Sequence, residues 1–143
     1  MQHTTWRKPA MAVVFLAASI FTVFAGGVDS YEIYLNDKLL TRQFVTQPLS
    51  LKSLSLDKAN QNDELVIYYS HCGRTGSERK ITLKNAGGQI VKEWKFANAS
   101  GAKTGMTIPV REVLQLQKKY AGNELSIYYS SDLMPQGRML AGI

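Results

Sequence analysis

Two stretches sixty residues apart end in the same pattern. "LSLDKANQNDELVIYYS" closes at Ser70 and "LQLQKKYAGNELSIYYS" closes at Ser130. Leu54, Leu56, Lys58, Glu64, Leu65, Ile67, Tyr68, Tyr69 and Ser70 return as Leu114, Leu116, Lys118, Glu124, Leu125, Ile127, Tyr128, Tyr129 and Ser130. A shared E-L-x-I-Y-Y-S with leucines in step upstream constrains the chain to use one structural unit twice. Each unit opens with a hairpin pattern. "YEIYLNDKLLTRQFV" places Asn36-Asp37 between alternating apolar runs, and "KITLKNAGGQIVKEWKF" places Asn85 to Gly88 in the same role. Turn residues between alternating runs signal β-hairpins. A Pro-led connector follows, with Pro48-Leu49 facing Pro109-Val110 after a one-residue slip. The second copy carries an extra loop, "ANASGAKTGM", at 97–106.

The expected strands are 32–35, 39–45, 65–70, 80–84, 89–96, 124–130 and 138–143, with repeat units at about 30–72 and 79–143. About seven short strands with turn signals point to a mainly β chain folded as a β-sandwich. In "ELVIYYS" both faces are apolar or aromatic, the mark of a strand that is central or covered on both sides. The two IYYS strands are therefore expected inside their sheets, in related positions. "VREVLQLQKKYAG" reads as a short helix near 110–120, in competition with a strand-like alternation through Leu114 and Leu116.

The N-terminus reads differently. Arg7 and Lys8 precede the apolar run Met11–Ala25, which ends in the small residues Val23 and Ala25 around Phe24. That is the pattern of a secretory signal peptide at 1–25. An uncleaved anchor is the alternative, but it needs about 20 apolar residues, and this run breaks at Gly26-Gly27. The chain is thus expected to be exported, to the periplasm or beyond, and to meet the membrane only through that segment before cleavage. What remains is a single domain at 30–143. Cleavage removes Arg7 and Lys8 and lowers the net charge from +6 to +4. The remaining cations are scattered apart from Arg74, Arg79 and Lys80, so no nucleic-acid footprint is expected. The single cysteine cannot form a disulfide within the chain.

"VDSYEIYLNDKLL", "QPLSLKSLSLDKANQNDELVIYYSHCGRTG" and "MPQGRMLAGI" resemble small uncharacterised exported β-rich proteins of Gram-negative bacteria. The resemblance covers most of the exported part. It implies location and size, and no known activity comes with it.

"YYSHCGRTGSERK" carries the only concentration of chemistry-bearing residues. Cysteine phosphatases use H-C-x5-R, with a thiolate nucleophile, a cradle of backbone N–H groups, an arginine clamp and a following helix. Here Glu78 stands six residues after Cys72, Arg79 comes one residue late, and a strand pattern follows. Phosphatase chemistry is rejected on those grounds. The loop also aligns without gaps, 71–83 on 131–143, as the ordinary connection after an IYYS strand.

A copper or zinc site at His71 and Cys72 needs a chain reversal between them, because adjacent strand residues face opposite ways. A reactive thiol would draw on Arg74 and His71 to lower the Cys72 pKa. The plain alternative is a strand-end cysteine of no special role. His71, Cys72, Arg74, Arg79 and Lys80 are the binding candidates. Tyr68, Tyr69, Tyr128 and Tyr129 could form an aromatic platform for sugars or peptides, although on covered strands such residues are core. No paired carboxylates stand out, and a Ser-His-Asp set is not visible from spacing, since triads assemble in space. The expected function is a non-enzymatic exported module that binds a protein or envelope component. A small metal- or thiol-active protein built on His71 and Cys72 is the alternative.

Overall fold

Period-two alternation makes the sheets. The computed structural model describes residues 27–45, 52–101 and 103–143; the signal-like run at 11–25 and the Pro48-Leu49 connector lie outside the described residues. The strands are β1 (Ser30–Leu35), β2 (Lys38–Phe44), β3 (Lys52–Ser53), β4 (Glu64–Ser70), β5 (Lys80–Lys84), β6 (Ile90–Lys95), β7 (Met106–Pro109), β8 (Ser126–Ser131) and β9 (Met134–Gly142), with helix α1 (Val110–Lys119) between β7 and β8. One sheet has the order β2-β1-β4-β7 and the other β3-β9-β8-β5-β6. The molecule is a mainly antiparallel β-sandwich with one short helix. Among the described residues no helix is long and apolar enough to cross a membrane.

The sheets repeat one frame. Hairpin β1/β2 sits beside β4 as hairpin β5/β6 sits beside β8. Tyr31 pairs with Tyr69 and Ile33 with Ile67; Ile81 pairs with Tyr129 and Leu83 with Ile127. Both IYYS strands are interior, β4 between β1 and β7, β8 between β5 and β9. Connectors cross over: β7, from the second copy, completes the first sheet, and β3, from the first copy, joins the second. β3 runs parallel to β9, which is antiparallel to β8, so β3 keeps the sense relative to β8 that β7 has relative to β4. The C-terminal β9 has inserted between them.

Four sequence expectations need correction. The last strand begins at Met134, not Arg138, because Ser131 to Met134 turn tightly back onto β8. β7 was missed, since "MTIP" is too short to show a period. The gapless alignment of 71–83 on 131–143 holds at His71 and Ser131 but then fails. After β4 the chain leaves for the other sheet, whereas after β8 it doubles back. Finally, β3 was missed for the same reason as β7; the interior position expected for "ELVIYYS" holds, with Leu65, Ile67 and Tyr69 buried and Val66 and Tyr68 half-buried.

The shared leucines take different backbones. Leu54 and Leu56 are buried in an extended segment, while Leu114 and Leu116 lie on α1. Serines around the first pair and Asp57, Asn60 and Asp63 beyond it favour turns; good helix formers surround the second pair. Glu112 in the first turn and Lys118 and Lys119 in the last complement the helix dipole. The N–H of Val110, orphaned at the helix start, donates to the Asp63 carbonyl at 3.0 Å.

The core lies between the sheets: Tyr31, Ile33, Leu65, Ile67, Ile81, Leu83, Met106, Ile108, Ile127 and Tyr129 are all at most 1 % exposed. Burial of each aliphatic contributes about 1.5–3 kcal/mol. We predict that Ile67→Asp lowers unfolding free energy by at least about 3 kcal/mol, because it loses that burial and places a carboxylate without a partner in the core. A urea melt within 1 kcal/mol of wild type, roughly the scale of a surface change, would place this side chain outside the core.

Candidate functional site

The ends of β4 and β8 meet between the sheets. Tyr69 stacks on Tyr129 with ring centroids 4.1 Å apart, and Tyr31 lies beyond at 6.2 Å from Tyr69. Two residues on, His71 and Ser131 come together, the positions that the sixty-residue offset pairs. His71 Nε2 is 3.1 Å from Ser131 Oγ and 3.0 Å from the Tyr129 hydroxyl. Its Nδ1 is 3.3 Å from Asp29 Oδ2. The same Asp29 carboxylate accepts from the Tyr69 hydroxyl at 3.0 Å and from the Cys72 thiol at 3.4 Å.

Asp29, His71 and Ser131 thus have the order of contacts of a catalytic triad. The surroundings argue against catalysis. His71 and Ser131 are 5 % and 4 % exposed. Gly76 lies so close that an added Cβ would be 2.5 Å from Ser131 Oγ, which leaves no room for a substrate carbonyl. The nearby Leu133 N–H donates to Ser131 Oγ itself, and the Asp132 N–H donates to the Ser77 carbonyl, so neither is free to serve an oxyanion. The group is a satisfied buried polar cluster. Burial pushes the His71 pKa down, and the Asp29 carboxylate offsets only part of that effect. Burial likewise pushes the Tyr69 and Tyr129 hydroxyls up.

The loop after His71 is not a phosphate cradle. N–H groups of Gly73, Arg74, Ser77 and Glu78 donate to Ser70 Oγ, the His71 carbonyl, Asp132 Oδ1 and Asn98 Oδ1. His71 and Arg74 pair as the ends of a tight turn, with Cys72 at φ 53° and Gly73 at φ 85°. Two positive φ values define a type I′ turn, which Asn and Gly favour and cysteine does not.

That turn separates the binding candidates. His71 points inward with both ring nitrogens engaged, while Cys72 is exposed. Among the described residues no group of three or more His, Cys, Asp or Glu is placed to hold a metal ion. The expected lowering of the thiol pKa is reversed. Loss of water around the sulfur and then the Asp29 hydrogen bond push Cys72 up, and Arg74 opposes them weakly.

Arg79 is not on the surface with Arg74 and Lys80; it is 2 % exposed. Its guanidinium donates to the carbonyls of Thr104 at 2.7 Å and Ala97 at 3.0 Å, and so pins both ends of the extra loop. Its Nε is buried without a partner among the described residues.

The loop that Arg79 pins shapes the outer face of the four-stranded sheet. Lys103 lies over the Tyr68 ring at 5.1 Å and 3.2 Å from Glu32. Glu32 also accepts from Arg42 Nε and the Tyr34 hydroxyl, both at 2.8 Å. Partial burial pulls the Glu32 carboxyl up, but the hydrogen bonds from Tyr34, Lys103 and Arg42 outweigh it and hold it below the usual range. Tyr34 meets Tyr68 edge-on, with centroids 5.7 Å apart. Two hollows, of about 200 and 250 Å³, lie side by side along β1 and β4 with Tyr68 and Lys103 common to both, and together make up an outer groove divided by those two side chains. Of the four tyrosines considered as a platform, Tyr69 and Tyr129 are core, and Tyr68 and Tyr128 face outward. Sequence reasoning missed Glu32, Tyr34, Arg42 and Lys103; the alternation of "SYEIYL" marks the first two as one face.

Fold and site define a two-sheet β-sandwich with a closed polar interior and an aromatic outer groove. No protein-family model, curated protein or solved structure matches the chain.

Two outcomes are expected at the cluster. The folded His71 pKa lies below 6.5, so the unfolded chain takes the proton first as pH falls. Stability is therefore complete above 6.5 and declines as pH drops from there towards the folded pKa. His3 is the only other histidine. Melting temperature against pH should show this decline in wild type and lose it in His71→Gln, leaving only the carboxylate range below; an equal slope in both would refute the assignment. At the turn, Cys72→Asn should stabilise by about 0.5–1 kcal/mol, because Asn tolerates the left-handed backbone. Native Cys72 should also react with a thiol reagent before unfolding. Destabilisation in the variant together with labelling only after unfolding would make Cys72 a packing residue.

Proposed function

We propose that the chain is an exported, non-enzymatic module that binds a protein or envelope component through the outer face of its four-stranded sheet. The supporting observation is the groove at Tyr34, Tyr68 and Lys103, lined by aromatic and charged side chains and bordered by a loop that a buried arginine holds in place. Binding sites combine an apolar or aromatic floor with a few placed polar groups. The cluster that could have supported chemistry, by contrast, is closed and internally satisfied. Export rests on the signal-like run at 1–25, and the periplasm or the outside is the proposed location. The resemblance to exported proteins of Gram-negative bacteria is consistent with that.

The metal or thiol alternative at His71 and Cys72 is the weaker proposal. Both imidazole nitrogens already have protein partners, and loss of water and the Asp29 hydrogen bond push the thiol pKa up, against thiolate formation.

A photoreactive residue in place of the exposed Thr107, beside the groove on β7, tests the surface in expressing cells. Adducts are expected from position 107 and not from Gln136 on the other sheet, and Tyr68→Ala should reduce them. Equal adducts from both positions, or none from 107, would reject the outer face as the recognition surface.

A further inference from the structure

The two sheets share a frame, so their outer faces can be compared position by position. On the four-stranded sheet Glu32 pairs with Tyr68; at the matching place on the other sheet Thr82 pairs with Tyr128. Tyr34 is matched by Lys84, which lies over the Tyr128 ring at 4.2 Å. Lysine thus caps the one outward aromatic of the second face, and that face lacks both the second aromatic and the carboxylate at these positions. The second face has a smaller hollow, of about 160 Å³, with Tyr128, Lys84 and Glu93 on its lining; what distinguishes the first face is its second tyrosine, Tyr34, beside Tyr68.

Charge and backbone narrow what the groove can hold. Glu32 and Asp37 are offset by Lys103 and Arg42, so the groove does not select strongly for a cation or an anion. β1 is paired on both sides along its whole length, and β4 on both sides as far as Ile67. Gly105, just before β7, packs against the Val66 and Tyr68 side chains, where an added Cβ would lie 2.7 Å from a Val66 methyl carbon. Strand addition, the mode that gives extended peptides their affinity, is open on the outer sides of β2 and β7, neither of which lines the hollows. Recognition falls to side chains: tyrosine rings, the hydroxyls of Ser30, Ser70 and Thr104, and the Glu32 carboxylate with its cations. The floor from Ser30 to Leu35 is about 20 Å long. It suits an oligomer better than a single ring.

We infer that this groove binds a neutral saccharide chain, with Tyr34 and Tyr68 against the C–H faces of its sugar rings and Glu32 and Lys103 bonded to its hydroxyls. This rests on the reading of the outer face as a binding surface. Lys103 is the movable part. It bridges the two hollows, its side chain is 62 % exposed, and a bound chain takes over its contacts with Tyr68 and Glu32.

The test is a titration of isotopically labelled protein, purified from expressing cells, followed by amide NMR shifts. The probes are a chitin tetrasaccharide, maltotetraose and a neutral extended hexapeptide. Saccharide is expected to shift amides at Glu32, Tyr34, Tyr68 and Lys103 and the hexapeptide to leave them in place. Tyr68→Ala should weaken saccharide binding about tenfold, the scale of one lost aromatic contact. Tyr128→Ala, the matched change on the other sheet, should leave it unaltered. Absence of shifts at the groove with both saccharides overturns the inference, as does equal weakening by the two variants. Shifts with the hexapeptide alone overturn the saccharide while leaving the outer face as a binding surface. No shift with any probe, together with no adducts from position 107, removes both.

Discussion

The stack of Tyr69 on Tyr129 fixes how the two sheets meet. Each ring comes from the central strand of a different sheet, at the same place in a repeated pattern, and the centroids are 4.1 Å apart. Two flat rings at that separation leave little freedom for one sheet to slide along the other. The hydroxyls then dictate what surrounds them, because a buried phenol without a partner is costly. Tyr69 takes Asp29, Tyr129 takes His71, and Tyr31 reaches the Leu140 carbonyl at 2.7 Å in the opposite sheet. Three tyrosines therefore tie together both sheets, the chain at residue 29 and the loop after β4. Asp29, His71 and Ser131 have triad-like contacts because those residues satisfy the tyrosines and each other.

A common frame with different outer faces follows from the same constraint. Inward positions must fit a partner across the core, so Leu65, Ile67 and Tyr69 are repeated as Leu125, Ile127 and Tyr129. Outward positions meet only solvent and their lateral neighbours, and there the copies differ: Glu32 against Thr82, Tyr34 against Lys84. The connectors differ for another reason. Leu54 and Leu56 fill their space from an extended chain and Leu114 and Leu116 from a helix, since what the core needs is apolar volume and local composition decides the backbone.

This division explains what could be read from the sequence. The hairpins, the interior IYYS strands and the short helix were legible because alternation and helical period are local signals. β7 and β3 were not, because four- and two-residue strands carry no period and their partners lie in the other copy's sheet. At the candidate site, the repeat did pair His71 with Ser131 and Tyr69 with Tyr129. Nothing local placed Asp29 among them, since its side-chain contacts span 40 residues or more. Arg79 misled for a related reason. Beside Arg74 and Lys80 it reads as part of a surface cluster, but alternation along β5 turns Lys80 outward and Arg79 inward.

Arg79 is also where interior and outer face are joined. A buried guanidinium without a carboxylate is expensive, and here two main-chain carbonyls at the ends of the extra loop compensate it in part. The loop is held because the arginine needs acceptors, and Lys103 reaches Glu32 and Tyr68 because the loop is held. Among the described residues of 97–104 none lies in a helix or strand, so the buried guanidinium supplies the anchoring that regular structure would otherwise give. Lys103 therefore stands on a segment that Arg79 anchors at both ends. A surface arginine at position 79 would have left the loop without that anchor, and the groove without its wall.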